Sequence, residues 1–231
     1  MVINKPIPKL GFPIDRGKRE YQDDQLVSAL DFFSGEIKVK PIYFMQELPG
    51  TENDCKIRLR VAEKLCIALK SLPRGLTFMI FDSYRTVKTQ QALYDNYCRK
   101  LRDEHPQWSE EILEKEVIKF VSKPSFDENN PFVHNTGGAI DLTLYDKRNS
   151  RELIMGTVFD DFSSRATTCY FEDIAWGTEA KEIRNNRRLL YWCMIKAGFT
   201  NLPTEWWHYD FGDKFWSFYT GNPAIYKGII E

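Results

Sequence analysis

The chain has 231 residues, 42% of them hydrophobic, which is ample material for one domain with a sizeable core. Its 32 basic and 33 acidic residues are interspersed and leave a net charge of -1. That balance argues against an electrostatic nucleic-acid binder and against a polybasic membrane anchor.

No apolar run approaches transmembrane length, so no membrane span is expected. The N-terminus is interrupted by Pro6 and Pro8 and lacks the apolar stretch of a secretory signal. The five cysteines are odd in number and form no C-x-x-C. Cys66 and Cys193 lie in apolar helical patterns, which suits buried free thiols in a reducing compartment. A cytoplasmic location is expected, or a periplasmic one if a signal peptide has been removed. No linker, repeat or composition break divides residues 1–231, so a single domain is expected.

Residues 1–50, rich in Pro, Gly and charge, read as an irregular N-terminal wrap of loops and a strand, with apolar pieces such as Pro41–Met45. From Asp54 to Leu72 the residues Ile57, Val61, Leu65, Ala68 and Leu69 recur at helical spacing, and Pro73 and Gly75 end that helix. The apolar run Leu76–Phe81 predicts a buried strand, with Asp82 to Thr86 at its end, where a side chain can be aimed into a cleft. Two helices follow over 87–102 and 109–122, and 123–131 is a loop. His105, between Glu104 and Pro106, reads as a solvated loop histidine. Residues 139–145 alternate: Ile140, Leu142 and Leu144 face one way, Asp141 and Thr143 the other. A helix is predicted over 179–197, stopped by Gly198. Residues 207–211 alternate again, with His208 and Asp210 on one face. Helices and strands without a βαβ rhythm predict an α+β fold with an antiparallel sheet packed against helices.

Two segments hold two of the three histidines: His134-Asn-Thr-Gly-Gly-Ala-Ile-Asp141 and Glu205-Trp-Trp-His208. His134, Asp141 and His208 supply the ligand set of a catalytic zinc with an open fourth position. Gly137 and Gly138 permit a turn that brings His134 back over the strand carrying Asp141. Glu205, three residues before His208, sits on the wrong face of a regular strand. It must belong to the preceding loop or a bulge if both serve one site. There it is a candidate general base. Arg85 is the candidate cation for charge developing on an attacked carbonyl.

Ser83-Tyr-Arg85, His134 to Leu144, Met155-Gly-Thr-Val-Phe-Asp160 and Glu205 to Phe211 together resemble the zinc D-alanyl-D-alanine dipeptidases of the VanX type. The likeness runs in the same order from about residue 75 to 217, taken as the catalytic core. It implies a zinc peptidase fold of the D,D-peptidase/hedgehog type and one Zn2+ per chain on His134, Asp141 and His208. It further implies Glu205 as base, Arg85 as transition-state support and Asp160 as partner of the ammonium group of a small D,D-dipeptide. By composition alone Asp160 and Asp161 read as an acidic pair at a helix N-terminus.

Departures are visible. Phe132 stands where the family usually has Ser, and Thr86 where it commonly has Pro. The N-terminal third shows no clear counterpart of the family's substrate-contacting tyrosine region. A peptidoglycan carboxypeptidase or endopeptidase of the same fold is the alternative activity. A non-catalytic zinc-binding module is disfavoured, because a purely structural zinc needs neither Glu205 nor Arg85.

Overall fold

In the computed structural model, which describes residues 4–174 and 177–230, the first fifty residues hold more regular structure than their composition predicts. They contain β1 (Leu26–Ser28), α1 (Ala29–Phe33), β2 (Lys38–Val39) and α2 (Ile42–Met45). The apolar piece Pro41–Met45 is one helical turn with Pro41 as its N-cap. Proline suits that position, since a helix start has no use for its missing N–H.

β3 (Lys56–Arg58) takes up the first residues of the helix expected from Asp54, and α3 (Leu59–Lys70) covers the rest. The apolar Ile57 fits both periods, but pairing with β1 draws Lys56–Arg58 into an extended conformation. The chain continues with β4 (Leu76–Asp82), α4 (Val87–Glu104) and α5 (Glu110–Val117). Thr86 and Ser109 cap these two helices by accepting from the N–H groups of Thr89 and Ile112. β5 (Ala139–Asp146), β6 (Arg151–Glu152), α6 (Gly177–Lys196), β7 (Thr200–Asn201), β8 (His208–Asp210) and α7 (Lys214–Thr220) complete the order.

The main sheet runs β2-β4-β5-β8-β7, with β6 also on β5. Its pairs are antiparallel except β2–β4, which is parallel. The sheet is therefore mixed rather than antiparallel. A helical crossover through α2 and α3 separates β2 from β4, and such a crossover permits a parallel pair. The α+β class stands.

One apolar cluster joins Phe78, Ile80, Ile140, Leu142 and Leu144 of the sheet to Leu65 of α3 and to Leu190 and Met194 of α6. A smaller cluster lies between α4 and α5, around Leu101, Leu113, Val117 and Val121. All five cysteines are free; Cys193 is buried, but Cys66 is only half-buried. His105 is half-buried rather than solvated, because its ring stacks on Trp108 at 3.8 Å. No helix among the described residues is long and apolar enough to cross a membrane.

Candidate active site

Three neighbouring strands carry one side of the site. Asp82 on β4 pairs across to Asp141 on β5, and Asp141 pairs across to His208 on β8. A strand ladder fixes such neighbours to within a side chain's reach of one another. His134 arrives from a 3-10 turn, Val133–Thr136, closed by Gly137 at φ 71°. A Cβ on the next residue, Gly138, would stand 2.4 Å from the Phe211 carbonyl oxygen, so glycine alone lets the turn press against the end of β8. His134 is thus folded back over Asp141, as the paired glycines predict.

Hydrogen bonds constrain where each imidazole carries its proton. His134 Nδ1 lies 2.7 Å from the Ser83 carbonyl oxygen. A carbonyl only accepts, so Nδ1 carries the proton and Nε2 keeps its lone pair. At His208 both nitrogens face carboxylates, Nε2 with Asp210 Oδ1 at 2.8 Å and Nδ1 with Asp141 Oδ1 at 3.0 Å; with a cation at Nδ1, Nε2 keeps the proton it donates to Asp210. His134 Nε2 and His208 Nδ1 stand 3.1 Å apart, and His134 Nε2 is 3.4 Å from Asp141 Oδ2. Two imidazole nitrogens and a carboxylate oxygen converging in a buried space repel one another unless a proton or a cation sits among them. Donors on one tetrahedral ion are roughly 3.3 Å apart, from metal–ligand distances near 2.0–2.1 Å. These three residues fit such an ion and can hold it.

The surrounding charge points the same way. Burial works to raise Asp141, but His134 and His208 outweigh it and hold the carboxyl well below its usual range. Burial works to lower His208, yet Asp210 and Asp141 raise it well above an ordinary histidine, so with no ion present a proton on Nδ1 faces Asp141 where a metal would sit. Asp82 is pushed up by burial, against the pull of Arg85 and His134. This crowding of carboxylates calls for positive charge beyond one guanidinium.

Arg85 is fixed on all sides. Its Nε and Nη2 donate to Asp82 Oδ2 at 3.0 and 2.7 Å, and its Nη1 donates to Gln90 Oε1 at 2.8 Å. The guanidinium lies over the Tyr43 ring at 4.9 Å and comes within 3.8 Å of Asp141. Burial opposes its charge, but Asp82 above all, then Tyr43 and Asp141, keep it protonated.

Glu205 lies in the turn between β7 and β8, not on β8, as its spacing from His208 requires. Asn201 Nδ2 steadies that turn by donating to the carbonyls of Glu205 and His208. Glu205 Oε2 is 3.8 Å from His208 Nδ1. Burial pushes its carboxyl up to about 8, against His208 and with help from Asp141 and Asp160.

Asp160 is not at a helix N-terminus. It occupies a turn at φ 59°, in the left-handed region that non-glycine residues seldom adopt. It accepts a hydrogen bond from the Tyr43 hydroxyl at 2.9 Å, and burial, with Asp141 adding, pushes it up to about 7. The chain around it is stapled by Arg187, which is buried and has no carboxylate within ion-pair distance among the described residues. Arg187 Nε donates to the Met155 carbonyl at 2.7 Å, Nη1 to Thr167 at 2.7 Å and Nη2 to Arg165 at 2.8 Å.

All six residues singled out in the sequence thus line one cavity of about 280 Å³. Four others were missed. Asp210 shares the face of His208 on an alternating strand, so the period of two could have found it. Asp82 and Gln90 flank Arg85 closely in sequence, but nothing in their spacing distinguishes them from surface residues. Tyr43 lies in a segment without a motif.

A buried His–Asp–His cluster able to hold a cation, flanked by a carboxylic acid and a fixed guanidinium, is the constellation of a metallopeptidase. The model of the D-ala-D-ala dipeptidase family, Peptidase_M15, matches residues 52–222, and the chain belongs to that family. A D-alanyl-D-alanine dipeptidase of Synechocystis is 27% identical over 172 residues, 69% of each chain. One from Escherichia coli K12 is 29% identical over 150 residues, 65% of this chain and 61% of that one. One from Enterococcus faecium is 39% identical over 82 residues, 35% of this chain and 37% of that one. Among solved structures, VanYB in complex with D-alanine-D-alanine aligns at a TM-score of 0.46 and 15% identity, over 75% of this chain and 83% of that one.

Proposed function

We propose that this protein is a zinc dipeptidase that hydrolyses D-alanyl-D-alanine or a similar small D,D-dipeptide. The observation that carries the reading is the pair of oppositely oriented histidines. Each has its outer nitrogen tied to an acceptor, so that both inner nitrogens meet beside Asp141. Zinc, held by His134, Asp141 and His208, would supply Lewis acidity toward both water and the scissile carbonyl.

The other groups have roles this chain can perform itself. Glu205 takes a proton from the attacking water and passes it to the leaving amine. Its buried setting gives it the proton affinity this needs, which nearby positive charge then tempers. Arg85, immobilised by Asp82 and Gln90, presents charge where the carbonyl oxygen becomes negative. Asp160 pairs with the substrate ammonium group, and Tyr43 orients its carboxylate. Five cysteines without a disulfide support a reducing, cytoplasmic setting.

The test is turnover of D-Ala-D-Ala, other D,D-dipeptides and a stem pentapeptide by zinc-loaded, chelated and reloaded protein. Free alanine from a dipeptide, lost on chelation and regained with zinc, is the expected result. Release of a terminal residue from the pentapeptide alone would assign the carboxypeptidase activity instead.

A further inference from the structure

The cavity does not end at the residues named so far. It runs on to a wall formed by Tyr97 of α4, Phe120 beyond α5, Phe162 beyond Asp160, and Phe132 two residues before His134. Three of these rings make a cluster. Tyr97 and Phe162 have centroids 4.9 Å apart, Phe120 and Phe162 5.4 Å, and Tyr97 and Phe120 6.1 Å. Leu93 and Val121 back them from the small apolar core between α4 and α5. The one buried amide nearby, Gln90, is already committed: its Oε1 accepts from Arg85 and its Nε2 donates to the Ser122 carbonyl. One end of the cavity is thus crowded with charge; the other offers rings, rimmed by the exposed side chains of Lys100 and of Lys119, which pairs with Glu116 at 2.6 Å.

A dipeptide with two methyl side chains would fill the charged end and leave the rings facing water. Apolar surface in that position rewards any substrate group that covers it, in proportion to the area removed from water. We infer that the preferred substrates carry one bulky apolar side chain, aromatic or branched aliphatic, which lies in this aromatic annex. Phe120 and Phe162 are then specificity-determining residues, and Phe132 closes the annex where a hydroxyl would have made it polar. The inference rests on the dipeptidase reading above and narrows it.

The experiment compares kcat/KM of zinc-loaded protein for D-Ala-D-Ala, D-Ala-D-Phe, D-Phe-D-Ala, D-Ala-D-Leu and D-Leu-D-Ala. At least one bulky dipeptide is expected to exceed D-Ala-D-Ala by about tenfold or more, the scale of discrimination by an apolar pocket. The better member of each reversed pair tells which end of the substrate the annex receives. Phe120→Ala, at a half-exposed ring, and Phe162→Ala should each lower the bulky-to-small ratio severalfold. D-Ala-D-Ala turned over as well as or better than every bulky dipeptide would overturn the inference and leave the dipeptidase intact. A ratio unmoved in both variants would also overturn it. Turnover of no dipeptide at all would remove both readings together.

Discussion

The two sides of the cavity are built by different means. Asp82, Asp141 and His208 stand on three adjacent strands, and their spacing is set by the backbone ladder. Glu205 and Asp160 stand on turns and Tyr43 on the four-residue α2, and their spacing is set by tertiary bonds: Asn201 under the Glu205 turn, Arg187 across the Asp160 segment, and the Tyr43–Asp160 bond itself. Two arginines mark the contrast. Arg85 is paired with Asp82, whereas Arg187, lowered by burial to about 9 and still protonated at neutral pH, has no ion pair among the described residues and serves as a clamp on three carbonyls. A sheet is suited to holding an ion at fixed distances. Turns are suited to meeting a substrate, since they can be altered without unpicking the sheet.

Mutations should separate the sides. The largest effect belongs to the strands: His208→Ala should remove zinc and reduce turnover by about a thousandfold or more, given the several kcal/mol a metal contributes. Bound metal by mass spectrometry, read with kcat, checks this, and full metal content would defeat the ligand assignment. Glu205→Ala should lower kcat by at least about 100-fold with zinc retained, the scale of general-base catalysis. Undiminished activity there would take Glu205 out of the chemistry. Asp210→Asn touches no substrate, yet it should weaken zinc affinity by about 10- to 100-fold, because Asp210 fixes the ring of His208. A competitive chelator titration reads that out. Asp160→Asn should raise KM by about tenfold and leave zinc affinity alone, as loss of one charge-assisted contact predicts. An unchanged KM would place the ammonium group elsewhere.

The smallest effect concerns the metal-free protein. Asp160 and Glu205 bind protons more tightly folded than unfolded, at about 7 and about 8 against ordinary values of 3.8 and 4.5. Below the ordinary values both states are protonated; between the two sets only the folded state holds the extra protons. Stability therefore falls as pH rises from roughly 4 to 8. Chelated protein should melt about 5 °C or more lower at pH 8.5 than at pH 5.5, and zinc should flatten that slope. A melting temperature that climbs across this range without metal would contradict the burial of these two acids.

Much of this arrangement is legible in the residues. The helical spacing of Val61, Leu65 and Ala68, and the alternation of Ile140, Leu142 and Leu144, come from one-sided burial, which any sequence must encode locally. The same logic placed Asp141 and His208 on shared faces and moved Glu205 off its strand. What escaped depends on distance along the chain. Tyr43 reaches Asp160 across 117 residues, and no periodicity reports such a meeting. The parallel β2–β4 pair and the turn at Pro41 escaped for the same reason, since two or four residues are too few to show a period. His105 differs because stacking on one neighbouring ring leaves no mark in composition, and Cys66 because it sits at the edge of the core rather than within it.

Asn135, one residue beyond His134, donates from Nδ2 to the carbonyls of both Arg85 and Ile229, and its Oδ1 accepts from the Ile229 N–H. Ile229 therefore braces Asn135, which in turn holds the Arg85 backbone and follows His134 directly in the chain. Proteolytic nicking before Lys227 should blunt catalysis while leaving every reacting side chain in the sequence, so damage to the Ile229 segment would masquerade as a lesion at His134.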